Sequence, residues 1–261
     1  MELSISNIAW SKNSDEDMYL FLQEQEYSGL EIAPTRIFEK NPYEKLEEAK
    51  LFAIKLRKNY GLKVSSMQSI WFGRNENIFG SIDEREELFK YTKKAIKFAQ
   101  ACNCPNLVLG CPKNRVIKDS KDYLISIDFF RKLGEYAKLH ETNISIEPNP
   151  QIYDTNFINY TDEAFQLVSD VNSDGFKVNV DLGTIICNEE DLSWIESNIN
   201  KVNHIHISEP NLQEINIREI HREFAKKLRE NNYNKFISIE MKNTKNIKLV
   251  KDIVKNVKII F

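Results

Sequence analysis

Four short runs in the second half of the chain each carry an ionisable residue at a comparable place: Ile144-Ser145-Ile146-Glu147, Val178-Asn179-Val180-Asp181, Ile205-His206-Ile207-Ser208 and Ile237-Ser238-Ile239-Glu240. All four alternate β-branched apolar residues with polar ones, which is the period-2 pattern of a strand. One sense of the alternation holds Ile144, Ile146, Val178, Val180, Ile205, Ile207, Ile237 and Ile239; the other holds Ser145, Glu147, Asn179, Asp181, His204, His206, Ser238 and Glu240. Three carboxylates brought to one point repel one another and are costly to bury unless a cation joins them. Three oxygen donors and one imidazole suit Mn²⁺, Mg²⁺ or Co²⁺, with Zn²⁺ as a further candidate. Taken singly, each residue has an ordinary structural explanation: a loop cap for Glu147, a lysine partner for Asp181, a core hydrogen bond for His206. Their recurrence in successive units favours one divalent-metal site made of Glu147, Asp181, His206 and Glu240.

The elements that must position these residues alternate along the chain. Short β-rich runs are expected at Leu3–Ala9, Gly29–Ile32, Lys63–Gln68, Asn106–Leu109, Asn143–Glu147, Lys177–Asp181, Asn203–Ile207 and Phe236–Glu240. Amphipathic helices are expected between and after them, at Asp15–Glu26, Tyr43–Asn59, Asp83–Cys102, Lys121–His140, Thr161–Val171, Glu189–Ser197, Glu214–Asn231 and Thr244–Lys255. In the second helix Leu46, Ala49, Ala53, Leu56 and Tyr60 recur at three- and four-residue steps, and Gly61 is a natural stop. Eight βα units without a linker or a Pro/Gly/Ser-rich divide point to an α/β chain forming a single parallel (β/α)8 TIM barrel over residues 1–261. The length is close to the ~250 residues usual for that fold, whose active sites lie at the carboxyl ends of the strands. No strand is followed by a G-x-G-x-x-G or P-loop pattern, so a nucleotide fold has no support.

The net charge of −3 offers no excess positive field for a nucleic-acid backbone. No apolar run approaches the ~20 residues that span a bilayer, and the first residues lack a signal-peptide pattern. A cytoplasmic enzyme with no nucleic-acid and no membrane partner is therefore expected. Cys102, Cys104, Cys111 and Cys187 do not form a zinc set and are expected as reduced thiols.

At these residues the chain resembles the xylose isomerase-like TIM-barrel superfamily, in its sugar phosphate isomerase/epimerase branch. The resemblance runs through Ser6-Asn7-Ile8-Ala9-Trp10, Gly29-Leu30-Glu31-Ile32-Ala33-Pro34, Gly110-Cys111-Pro112-Lys113-Asn114-Arg115, Glu147-Pro148-Asn149-Pro150, Val180-Asp181-Leu182-Gly183 and His204-Ile205-His206-Ile207-Ser208-Glu209-Pro210. It implies that Glu147, Asp181, His206 and Glu240 ligate one metal and that Glu147 and Glu240 are also the acid/base pair. The implied activity is isomerisation or epimerisation of a sugar or sugar phosphate, by proton transfer through a metal-stabilised enediolate. Three positions depart from relatives. Thr184 stands where many have a substrate-contacting His, Leu212 where ketohexose epimerases have Arg, and Tyr153 where they have a substrate-binding Glu. These departures count against simple epimerisation of a free ketohexose.

The substrate-binding set expected from the sequence is Trp10, Glu31, Gln68, Trp71, Lys113, Arg115, Tyr153, Thr184, His204 and Glu209. Lys113 and Arg115, and also Arg36 and Arg74, are cations near strand ends that suit a phosphate or carboxylate, or are simply solvated. Trp10, Trp71 and Phe72 suit a sugar's apolar face, or the core. His204 is expected to support His206, and His140 and His221 to face solvent from helices. The alternatives are a dehydratase acting on a polyol ketone, an abasic-site endonuclease and a non-catalytic sugar-binding barrel. The endonuclease needs a three-zinc cluster with more than the 4 histidines present. The apolar tail Val257–Phe261 either closes the barrel's amino-terminal end or contributes to a homodimer contact.

Overall fold

The computed structural model describes residues 1–261. Eight strands close into a barrel in sequence order: β1 (Glu2–Ser6), β2 (Gly29–Ile32), β3 (Lys63–Met67), β4 (Asn106–Leu109), β5 (Asn143–Ile146), β6 (Phe176–Asp181), β7 (Val202–Ile207) and β8 (Phe236–Ile239). All neighbouring pairs are parallel, and β1 closes on β8 with Leu3 opposite Ile237. Around them lie α1 (Asp15–Glu24), α2 (Pro34–Ile37), α3 (Leu46–Tyr60), α4 (Ile82–Ala101), α5 (Asp122–Leu139), α6 (Thr161–Val171), α7 (Leu182–Asn188), α8 (Ile195–Asn198), α9 (Glu219–Glu230) and α10 (Ile247–Ile260). No helix is long and apolar enough to cross a membrane.

The period-2 pattern sorts the strand residues as chemistry requires. Ile144, Ile146, Val178, Val180, Ile205, Ile207, Ile237 and Ile239 are buried in the hydrophobic core. The other sense fills the lumen with small polar side chains that bond to one another. Ser4 meets Ser65 at 2.6 Å, Asn106 donates to Ser66 at 2.9 Å, and Ser145 donates to Asn106 at 2.6 Å. Every such group is dry, so each needs its partner.

Element boundaries differ from expectation where local chemistry intervenes. Asn7–Ala9 leave β1 as a short 3-10 turn. The helix expected at Glu189–Ser197 is replaced by α7, which begins directly after β6, and by the four-residue α8. Asp181 causes this early start, because its side chain accepts the Thr184 N–H at 2.6 Å and caps α7. Gly183 in the first turn hides the helical period. His221 is also corrected: it is buried on α9, whereas His140 ends α5 half-exposed. In the tail, Val257 and Ile260 are buried and Phe261 meets Phe224 of α9 edge-on at 6.4 Å.

Candidate metal centre

Glu147 and Glu240 stand one residue beyond β5 and β8, still held by the ladder. The Glu147 N–H donates to Leu109 O at 3.2 Å and the Glu240 N–H to Ile207 O at 2.9 Å. Asp181 ends β6 and lies opposite His206 in the β6–β7 register, just past a register shift at Val178/Asn179. Irregularities of this kind re-aim side chains beside functional sites. Ligand atoms of Glu147, Asp181, His206 and Glu240 all come within 4.8 Å of one another, and all four residues are buried. His206 Nδ1 is 2.8 Å from a Glu147 oxygen and 3.2 Å from a Glu240 oxygen.

Neutral amides hold both glutamates in place. Asn179 donates to Glu147 at 2.7 Å and Asn149 donates to its other oxygen at 3.2 Å. Gln68 donates to Glu240 at 2.9 Å. Asp181 takes hydrogen bonds from Thr184 and Ser208. Gly110 passes so near Glu147 that a Cβ there would lie 2.6 Å from Oε2. Asn149, Asn179, Ser208 and Gly110 are absent from the substrate-binding set drawn from the sequence. Asn179 was visible in the inward sense of β6, and Asn149 in the Glu147–Pro150 segment.

Below the cluster, His206 Nε2–H donates to Glu31 at 2.9 Å. That bond fixes the ring and turns Nδ1 toward the carboxylates. His204 Nε2 lies 2.9 Å from Ser238 Oγ and 3.3 Å from Glu31. Burial pushes Glu240 up to about 7, with Glu147 and Glu31 adding repulsion against the opposing pull of His206. Burial and then Glu147 push Asp181 up to about 6. Burial alone would favour a neutral His206, yet the surrounding glutamates raise its pKa well above the usual value. The site thus carries more negative charge than its own side chains neutralise.

A cavity of about 230 Å³ opens above the cluster, lined by Glu147, Asp181 and Glu240 with Gln68, Asn149 and Tyr153 among its walls, and no lysine or arginine reaches it. Of the ten expected substrate contacts, Gln68 and Tyr153 face this cavity and Trp10 faces an adjoining cleft. The others are placed elsewhere. Arg115 is wholly buried: Nε donates to Gly110 O at 2.6 Å, Nη1 to Phe157 O, and Nη2 to Glu147 O at 2.8 Å and Asn149 Oδ1 at 2.6 Å. It braces the Glu147 loop and has no free fork for a phosphate. Lys113 is exposed and lines neither cavity. Trp71 is core, its indole N–H donating to Thr92 at 2.8 Å. Glu209 is buried against Arg218, Thr184 is tied to Pro148 O at 2.9 Å, and Glu31 and His204 lie beneath the cluster.

The family model described as a xylose isomerase-like TIM barrel matches residues 21–259. Among solved structures, the chain resembles apo 3-keto-D-glucoside 4-epimerase from E. coli, with 18% identity, 99% of each chain covered and a TM-score of 0.80. It is also similar to D-psicose 3-epimerase from Clostridium cellulolyticum H10, with 15% identity, 98% and 96% coverage and a TM-score of 0.76. A family 2 AP endonuclease from Brucella melitensis gives 20% identity, 94% coverage of each chain and a TM-score of 0.72. No curated protein sequence matches the chain. At these identities the structural likeness speaks for the fold.

Proposed function

The chain belongs to the xylose isomerase-like TIM-barrel family, and from that premise we propose that it is a divalent-metal-dependent isomerase or epimerase of a sugar. In this reading Glu147, Asp181, His206 and Glu240 hold one cation, and Glu147 and Glu240 move the proton. The observation that carries it is the meeting of these four donors within 4.8 Å at the floor of a cavity that no cation lines. The donor set fits Mn²⁺, Mg²⁺ or Co²⁺, because it offers hard oxygens, one imidazole and uncompensated charge. When bound, the ion supplies positive charge to a sugar oxygen that becomes anionic as the neighbouring carbon loses its proton.

The side chains do the rest. Without a cation, burial raises the Glu240 pKa to about 7; a bound cation would lower it and favour the carboxylate that accepts a proton from substrate. Glu147 is oriented by Asn179 and Asn149, and Glu240 by Gln68, so both carboxylates are aimed before substrate arrives. Strands β6 and β7 lie between β5 and β8. The two glutamates therefore approach a bound sugar from different directions, which is what exchange of a proton between two faces or two carbons requires. The multi-zinc nuclease alternative is disfavoured by the histidines: His140 ends α5 and His221 lies on α9, leaving His204 and His206 in the barrel.

The test is to incubate metal-stripped and Mn²⁺-replete protein with ketoses and aldoses in D₂O. Deuterium is expected beside the carbonyl in the replete sample alone. Loss of one water from the product would identify the dehydratase instead. No exchange with any α-hydroxy carbonyl sugar at metal saturation would remove the proposal.

A further inference from the structure

Beside the 230 Å³ cavity lies a wider cleft of about 930 Å³, walled largely by the segments that follow β1, β2 and β3. Ser69 lines both spaces, and the preceding Gln68 touches Glu240. The cleft therefore adjoins the proposed reaction centre. The inner cavity is smaller than the roughly 300–1,000 Å³ of whole small-molecule sites, and the cleft falls inside that range. A substrate confined to the inner cavity would leave the larger space unused.

The charges of the cleft are matched. Arg36 pairs with Asp15 at 2.6 Å, and Lys94 with Glu44 at 3.2 Å. Arg74 is bound by Glu76 and, at 3.1 Å, by Glu87, while Lys12 faces Glu39 at 3.6 Å. A phosphate there would compete with these carboxylates for the cations and sit close to their negative charge. The aromatic surface, in contrast, is available. Phe72 is 69% exposed at the cleft wall. Tyr91 adds half-buried ring surface there, backed by the Arg74 guanidinium at 4.7 Å, whereas Trp10 is buried, with the Arg36 guanidinium over its ring at 5.7 Å. Ring faces beside the polar groups of Ser11, Asn41 and Asn243 complement a sugar ring, which has an apolar C–H face and a hydroxyl edge.

Resting on the isomerase or epimerase reading, we infer that the substrate is an uncharged glycoside. Its reacting unit, which keeps a free carbonyl, sits between Glu147 and Glu240, and a second, neutral glycosyl ring occupies the cleft against Phe72. A sugar phosphate is the wrong substrate for this mouth.

The experiment is calorimetric titration of the Mn²⁺-loaded full chain with D-fructose, D-fructose 6-phosphate and three ketodisaccharides extending fructose from O3, O4 and O6 (turanose, lactulose and palatinose). At least one ketodisaccharide is expected to bind tenfold or more tightly than D-fructose, with the phosphate ester no tighter than D-fructose. Phe72→Ala should remove at least threefold of the disaccharide's advantage. The inference is overturned if the phosphate ester binds tightest, if no disaccharide exceeds D-fructose, or if Phe72→Ala leaves the advantage intact. Deuterium exchange on the same ligands separates the two claims. Tight, Phe72-dependent binding without exchange sinks the isomerase reading and keeps the cleft assignment. Exchange of D-fructose with no disaccharide preference does the reverse.

Discussion

In the half of the barrel formed by β5–β8, the strand ends bring three carboxylates and an imidazole together with no lysine or arginine at the cavity wall. In the half formed by β1–β4 the strand ends supply supports, Glu31 to His206 and Gln68 to Glu240, and the loops beyond β1–β3 match each cleft cation to a carboxylate. The contrast separates two uses of charge. Close, unneutralised carboxylates are costly, and a cation and a mobile proton relieve that cost. Paired ions over aromatic rings make a surface that is polar yet favours no net charge. On this account the second half of the barrel does the chemistry and the first half chooses the molecule.

Removing the charge of one glutamate in the chemical half should break the contrast most severely. Glu147→Gln and Glu240→Gln are each expected to lower kcat by about 10²–10⁴-fold with the fold intact by circular dichroism. Normal turnover in both would refute their role. A gentler attack leaves every donor in place: Gly110→Ala would put a methyl 2.6 Å from Glu147 Oε2 and push that carboxylate aside. Displacement on the ångström scale costs on the order of 10² in rate, so kcat should fall sharply while the melting temperature changes little.

The supporting half is probed through Glu31. Glu31→Gln keeps an acceptor for His206 Nε2–H but loses its charge, and Mn²⁺ affinity should fall about tenfold, the lower end for partners of a ligating imidazole. Unchanged affinity would show that Glu31 only fills the lumen. A further lever is pH. In the metal-free chain Glu240 holds its proton below about 7 and Asp181 below about 6. A cation must displace these protons and the one on His206, whose pKa is also raised, so affinity should weaken as pH falls through 7 and more steeply below 6, by about tenfold per unit for each proton released. Affinity that is flat from pH 8 to 5.5 would mean that these carboxylates do not ligate.

The barrel and the clustering of Glu147, Asp181, His206 and Glu240 were legible because one local rule governed them. Alternation put Ile144, Ile146, Ile237 and Ile239 on one side and Ser145, Glu147, Ser238 and Glu240 on the other, and the structure keeps that division. The supports were less legible, since Arg115, Glu209 and Trp71 resemble ligand-binding residues until their partners are known. Arg115 is consumed by Gly110, Phe157, Glu147 and Asn149, contacts that lie up to 42 positions apart. The start of α7 was hidden for a different reason: Asp181 caps the helix and joins the cluster, and a sequence pattern displays one role at a time. The cleft was the least visible, because its aromatics and ion pairs sit in loops with no period.

The central claim is that four side chains from β5–β8 grip one cation, and titration of the metal-stripped chain with Mn²⁺, read by electron paramagnetic resonance, tests it most directly. One Mn²⁺ per chain is predicted, with binding weakened at least a hundredfold in Asp181→Asn and in His206→Gln. No bound Mn²⁺, or undiminished binding in both variants, would contradict the account.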